Sequence, residues 1–181
     1  MSASKIILLI GASGSGKTTI GKEFEKSGVL PLTSFTTRPM REGEVDGVDY
    51  YFDSNLTKDV VESTEYNGNK YGLYSHEVET KLAESKNGVY FICNLDGAKQ
   101  IVNMYPDDTV VLWLHVSLES MIERMWRRGD SDTAILSRIH HALKTNELEV
   151  PYELDPYVIN TDTSTLKDNV SWMLKMIGVN Q

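Results

Sequence analysis

Five apolar residues, Ile6 to Ile10, run directly into Gly11-Ala12-Ser13-Gly14-Ser15-Gly16-Lys17-Thr18. Few features leave a chain less freedom. The apolar run, with Lys5, reads as a buried strand, and Lys17–Lys26 reads as a helix. Between them, glycines let the backbone curl until successive N–H groups face one point. The helix adds the partial positive charge of its N-terminus at the same point. The product is an anion cradle, and G-x-x-x-x-G-K-[ST] between a strand and a helix marks the phosphate loop of nucleoside triphosphate enzymes. Lys17 is expected to reach the β- and γ-phosphates of ATP, and the Thr18 hydroxyl to ligate Mg²⁺. The ATP-facing set is therefore Gly11, Ala12, Ser13, Gly14, Ser15, Gly16, Lys17, Thr18 and Thr19.

Beyond the loop, strand-like runs alternate with helical patterns. Val89–Leu95, Thr109–Val116 and Tyr157–Asn160 read as strands. Leu118, Met121, Ile122 and Met125 share one helix face, as do Leu166, Val170, Met173, Leu174 and Ile177. These methionines read as core filler. Alternating strands and helices imply an α/β fold, a parallel sheet covered on both faces. Residues 32–75, rich in Thr, Gly, Asp and Tyr, and the polar residues 127–137 break the rhythm and read as functional insertions.

Composition removes other classes. A formal net charge of -8 over 181 residues leaves no broad basic face for nucleic acid. The run Ile6–Ile10 is too short to span a membrane, and no small-residue cleavage site follows it. Cys93, the one cysteine, reads as a buried strand residue, compatible with a reducing, cytoplasmic location. His76, His115, His140 and His141 show no metal-ligand spacing and read as surface or structural. Trp113, Trp126 and Trp172 read as packing residues.

The second motif concerns an acceptor. Ser34-Phe35-Thr36-Thr37-Arg38-Pro39-Met40-Arg41-Glu42-Gly43-Glu44 leads to Gly47-Val48-Asp49-Tyr50-Tyr51-Phe52. Two arginines three apart and a nearby tyrosine can converge on a phosphate monoester, arginine through forked charged hydrogen bonds and tyrosine as a neutral donor.

This stretch closely resembles the acceptor signature of the guanylate kinases, T-T-R-x-x-R-x-G-E-x-x-G-x-D-Y-x-F after a serine. The resemblance continues through Gly68-Asn69-Lys70-Tyr71-Gly72, Asn94-Leu95-Asp96-Gly97-Ala98, Arg124, Arg128, Arg138 and Val158-Ile159-Asn160. It implies a P-loop kinase with a parallel sheet core (1–31, 76–126, 138–181), an inserted acceptor-nucleotide subdomain (32–75) and a lid (127–137). It implies transfer of the γ-phosphoryl of ATP, with Mg²⁺, to GMP or dGMP. By the same resemblance Arg38, Arg41, Tyr50 and Tyr71 hold the acceptor phosphate, and Ser34 and Glu62 read guanine. A carboxylate suits guanine, whose N1–H and N2–H are adjacent donors. Glu65 is a nearby competitor for that place. Glu44 either belongs to the acceptor site or only orients Arg41. Arg124, Arg128 and Arg138 match cationic positions near the ATP phosphates, Lys17, Arg38, Arg128 and Arg138 form the catalytic set, and Asn160 borders adenine.

Three departures stand out. Nine residues separate Phe52 from Glu62, which implies a shortened helix there. Leu73 stands where the family has a hydroxyl beside the guanine edge. Asn94-Leu95-Asp96 runs at once into Gly97, so either Asp96 or Asn94 takes the base-reading acidic position. Asp96 is favoured, because loops absorb deletions more readily than strands. Two rival readings follow: a kinase for another nucleoside monophosphate or a phosphorylated sugar, and a non-catalytic binding module of the same build.

Overall fold

The computed structural model describes residues 5–53, 59–66 and 68–179, the Tyr66 side chain excepted. The shortened helix expected between Phe52 and Glu62 falls largely on 54–58, outside the described residues. In chain order the first elements are β1 (Ile6–Ile10), α1 (Lys17–Lys26), β2 (Leu30–Pro31), β3 (Phe35–Thr36), β4 (Tyr51–Phe52), β5 (Val60–Tyr66) and β6 (Asn69–Tyr74). Then follow α2 (Ser75–Glu84), β7 (Val89–Ile92), α3 (Leu95–Met104), β8 (Thr109–His115), α4 (Leu118–Arg128), α5 (Asp132–Lys144), β9 (Tyr157–Asn160) and α6 (Leu166–Met176).

One sheet has the order β2-β7-β1-β8-β9, and each neighbouring pair is parallel. Alternate residues of β1 serve opposite faces, as strand geometry requires. Ile6, Leu8 and Ile10 pack with Val78 of α2 and Ala98 and Ile101 of α3. Ile7 and Leu9 pack with Ile20 and Phe24 of α1 and Val170, Met173 and Leu174 of α6. A parallel sheet covered on both faces explains why β1 is apolar throughout.

Met121 and Met125 of α4 meet Ile135 and Ala142 of α5 in a smaller cluster that also takes in Ala12 of the glycine loop. The methionines of these helices are core, as expected. Trp113 is buried too, but Trp126 is 60% exposed, with its Nε1 donating to Asp132 Oδ1 at 3.0 Å, and Trp172 is 44% exposed. Both tryptophans sit on outer helix faces and do not fill the core.

Strands β3 to β6 build a second sheet, β4-β3-β6-β5, with β3–β4 parallel and the other pairs antiparallel. Val61 and Leu73 bury it against the core with Val78 and Phe91, and polar contacts add to this. Gln100 of α3 accepts the Ser63 N–H at 3.2 Å and donates to the Ser63 carbonyl at 3.3 Å. Buried Glu77 of α2 accepts the Thr33 N–H at 3.0 Å and the Tyr51 hydroxyl at 2.8 Å.

Two sequence expectations change here. The strand expected over Val89–Leu95 ends at Ile92, because Asn94 caps α3 and its Oδ1 accepts the Gly97 N–H at 2.8 Å. The polar stretch 127–137 holds the end of α4, a turn at Gly129 and the first half of α5. Ser131 caps α5 by accepting the Ala134 N–H at 3.3 Å.

Candidate functional site

The glycine loop connects β1 to α1 between the ends of β7 and β8. Gly11 has φ of 141°, and a Cβ there would stand 2.6 Å from the Leu114 carbonyl oxygen. No other residue fits. Lys17 Nζ folds back over the loop and donates to the carbonyls of Gly11 at 2.5 Å and Ala12 at 3.0 Å. Burial pulls its pKa down to about 8, and Glu147 is the foremost charge working against that pull.

Two arginines brace the loop, and a third stands beside them. Arg124 donates to the Gly14 carbonyl at 3.0 Å and to the Thr161 carbonyl at 2.7 Å, stapling the loop to the segment after β9. Arg138 of α5 donates to Ser13 Oγ at 2.9 Å. Arg128 pairs with Asp130, which also lies 3.6 Å from Arg138 Nε. Asn160, at the end of β9, is exposed and accepts the Asp162 N–H at 2.9 Å.

Facing the loop is the second sheet. The β5–β6 ladder slips by one residue between Val60 and Glu62. This bulge leaves Val61 in the core and Glu62 on the wall of a cavity of about 860 Å³. Glu62 is 4% exposed, and a Cβ on Gly97 would stand 2.7 Å from its Oε1, so glycine is what allows α3 to approach. Its carboxyl has no hydrogen-bond or ion-pair partner among the described residues, and burial raises its pKa to about 7. Ser34, Tyr50, Thr64, Tyr71, Cys93 and Asn94 line the same cavity, with Gly11, Ser13 and Lys17 opposite. A buried carboxylate without partners can accept from adjacent N–H donors of a ligand, and the loop can hold an anion a short distance away.

Arg38 is 9% exposed and clamped by Glu44, with Nη1–Oε2 at 2.7 Å and Nη2–Oε1 at 2.5 Å. Its guanidinium lies 5.1 Å from the centre of the Tyr50 ring and 5.4 Å from that of Phe52. The paired charge lowers the Glu44 pKa to about 2 and raises that of Arg38. Glu44 thus grips the Arg38 side chain, and from Arg41 it accepts only the backbone N–H, at 2.8 Å. The Arg41 side chain is exposed.

The structure does not bring Asp96 to the cavity. It stands exposed in the first turn of α3, and Asn94 is the lining residue instead. The register counted back from Gly97 is the spatial one, because the helix begins right after the cap. Glu65 is exposed on β5 opposite Lys70. Cys93 lies just past β7 and lines the cavity, where burial pushes its thiol pKa up and keeps it protonated.

Of the wall supplied by α5 and the turn after it, sequence reasoning named Arg138 and missed Ala134, Ser137, His140, His141, Lys144 and Glu147. The spacing 134, 137, 138, 141, 144 is one helix face, a signal hidden by its polarity.

Among the described residues no group of three or more His, Cys, Asp or Glu could hold a metal ion. A Mg²⁺ ion arriving with a triphosphate needs few protein ligands, and it prefers hard oxygens. The Thr18 hydroxyl would be such a ligand. Bound Mg²⁺ would neutralise phosphate charge. Among the described residues, no helix is long and apolar enough to cross a membrane.

Comparison with known proteins adds to this geometry. The sequence model of the family described as guanylate kinase matches residues 3–176. Among solved structures, a guanylate kinase from Anaplasma phagocytophilum aligns with a TM-score of 0.64 and 20% identity, over 98% of this chain and 86% of that one. A gluconokinase from Sinorhizobium meliloti 1021 aligns with a TM-score of 0.53 and 18% identity, over 98% and 93%. Both likenesses concern the fold, a parallel sheet with a phosphate loop and flanking helices.

Proposed function

The chain belongs to the guanylate kinase family, and from that membership we propose that it transfers the γ-phosphoryl group of ATP to GMP or dGMP, giving ADP and GDP or dGDP. Family and fold make it a nucleoside monophosphate kinase; the acceptor is the proposal. The observation that carries it is Glu62, a buried carboxylate without partners among the described residues, across one cavity from Lys17. Guanine offers N1–H and N2–H side by side to such a group, whereas adenine presents a lone pair at N1.

In this reading Arg38, Arg41, Tyr50 and Tyr71 take the acceptor phosphate, and Ser34, Glu62 and Asn94 take the base. Asn94 replaces Asp96 because it is the residue at the wall. Lys17, Arg128 and Arg138 face the transferring phosphoryl group, where negative charge spreads over three oxygens. Arg124 acts by holding Gly14 in place, and Asn160 stands beside the adenine. No covalent nucleophile is required, since positioning and charge carry phosphoryl transfer. ATP as donor and the lone cysteine fit work in the cytoplasm.

One screen tests the reading. With ATP and Mg²⁺, the purified protein is offered GMP, dGMP, IMP, AMP, pyrimidine monophosphates and gluconate, and ADP formation is followed. GMP or dGMP should give the highest kcat/KM, and AMP the lowest among the purines. A preference for AMP, a pyrimidine nucleotide or gluconate would overturn the acceptor assignment. ADP release with no acceptor used would mean that the site only binds.

A further inference from the structure

Strands β7 and β8 flank β1, so their C-terminal ends stand on either side of the glycine loop. In phosphate-loop enzymes an acidic side chain commonly shares the Mg²⁺ with the loop hydroxyl. Here the two strand ends read Ile92-Cys93-Asn94 and Leu114-His115-Val116, with no carboxylate. Other acids near the loop are engaged elsewhere. Asp130 is held by Arg128 and Arg138, and Asp162 by Arg124 and the Ser117 N–H. Among the described cavity-lining residues two carboxylates remain, Glu62 and Glu147.

Glu62 sits deep on the second sheet, packed against Gly97. Glu147 comes from the opposite wall, in the turn that follows α5. Its backbone N–H donates to the Ala142 carbonyl at 2.9 Å, which fixes the turn, and its Oε1 lies 3.4 Å from His141 Nε2. Of all charges around Lys17 it is the one that most favours the ammonium form. Glu147 shares its wall of the cavity with Arg138, which bonds Ser13 of the glycine loop.

We propose that Glu147 supplies the carboxylate absent from the strand ends, as a positioning residue that orders the water shell of the Mg²⁺ brought by ATP and keeps Lys17 directed at the phosphates. Mg²⁺ gives up its waters reluctantly, so a carboxylate reached through water suits it. The inference rests on the ATP site of the proposed function but is independent of which acceptor is used.

The test reads metal binding and not turnover. Mn²⁺, as a paramagnetic substitute, is titrated against the protein with a non-hydrolysable ATP analogue, and free Mn²⁺ is followed by electron paramagnetic resonance. Glu147→Gln should weaken Mn²⁺ binding to the analogue complex by roughly tenfold, the lower end for loss of an outer partner of a metal. Binding of the analogue without metal should be unchanged, and Glu147→Asp should recover part of the loss. His141→Ala should leave Mn²⁺ binding near wild type. Mn²⁺ binding by Glu147→Gln as tight as by wild type would overturn the proposal, and so would an equal loss in His141→Ala, which would make the pair structural. Absence of any analogue-dependent Mn²⁺ binding in the wild type would instead defeat the ATP site itself.

Discussion

Glu62 is the residue whose surroundings do most to define the site. Its folded pKa of about 7 stands above the ordinary carboxylate value of 4.5 because burial disfavours the charge. The folded state therefore holds a proton that the unfolded state has lost between these two values. Stability from this group is fully present below pH 4.5 and is lost as pH rises through 7. Above pH 7 the carboxylate costs about 3 kcal/mol, taking roughly 1.4 kcal/mol for each tenfold change in proton affinity. Glu62→Gln should thus be more stable than wild type at pH 8 and equal to it at pH 4, in urea melts at the two pH values. Guanine needs the ionised form, so binding of GMP should expel the proton. Calorimetry at pH 6.5 in buffers of different ionisation enthalpy should register proton release, and it should vanish in Glu62→Gln. Binding of GMP without proton release would separate Glu62 from the base.

At the scale of elements, the core sheet is readable in the sequence because a strand buried on both faces has no choice of composition. β1 and β8 need only their apolar runs, while β9 is an edge strand with Ile159 alone buried. The cavity wall is harder. The bulge before Glu62 depends on pairing with β6, and no local pattern announces it. The end of β7 is obscured because Ile92-Cys93-Asn94-Leu95 keeps an apolar rhythm, while the Asn94 cap is visible only as a contact with Gly97. Helix α5 is concealed by its exposure, though Ser131-Asp132 is a recognisable helix start. Leu73 shows how partial a family position is. It is fully buried beside Val61, Val78 and Phe91, and its neighbours Tyr71 and Gly72 are the ones that line the cavity. Leu73→Ser therefore removes core contacts and should cost about 2–4 kcal/mol, as buried leucine truncations do. If its hydroxyl reaches guanine, GMP should gain over IMP by a factor of a few up to about tenfold in kcat/KM, the yield of one neutral hydrogen bond. Urea melts and paired kinetics measure the two effects separately. An undiminished stability would remove Leu73 from the core, and reduced GMP selectivity would refute the hydroxyl argument.

Across the whole molecule, the cations of the proposed transfer site are held by the protein's own oxygens. Glu44 neutralises Arg38, Asp130 neutralises Arg128, and the Lys17 ammonium rests on loop carbonyls. On the proposed function each of these partners would be exchanged for a phosphate oxygen, and we expect the second sheet and α5 to close over the glycine loop when both substrates are bound. Closure would also exclude water, which otherwise accepts the phosphoryl group in place of the acceptor. Such a closure would keep Val61 and Leu73 of the second sheet in the core and turn about its polar ties to α2 and α3. Gln100 clasps Ser63, and Glu77 joins the segment leaving β2 to β4 at the point where the chain returns. Glu77 therefore stands at the pivot. A two-substrate analogue joining adenosine to guanosine through phosphates should reduce the radius of gyration in X-ray scattering and slow hydrogen exchange in β3–β6 and α5. In Glu77→Ala the Thr33 N–H and Tyr51 hydroxyl lose their acceptor, a cost of roughly 1–3 kcal/mol. The second sheet should then exchange faster in the free protein, and kcat should fall several-fold while ATP affinity stays level. Unchanged scattering and exchange with the analogue would mean that the open arrangement is already the working one. Equal effects of Glu77→Ala on ATP binding and on kcat would make Glu77 a support of the core sheet and not of its motion.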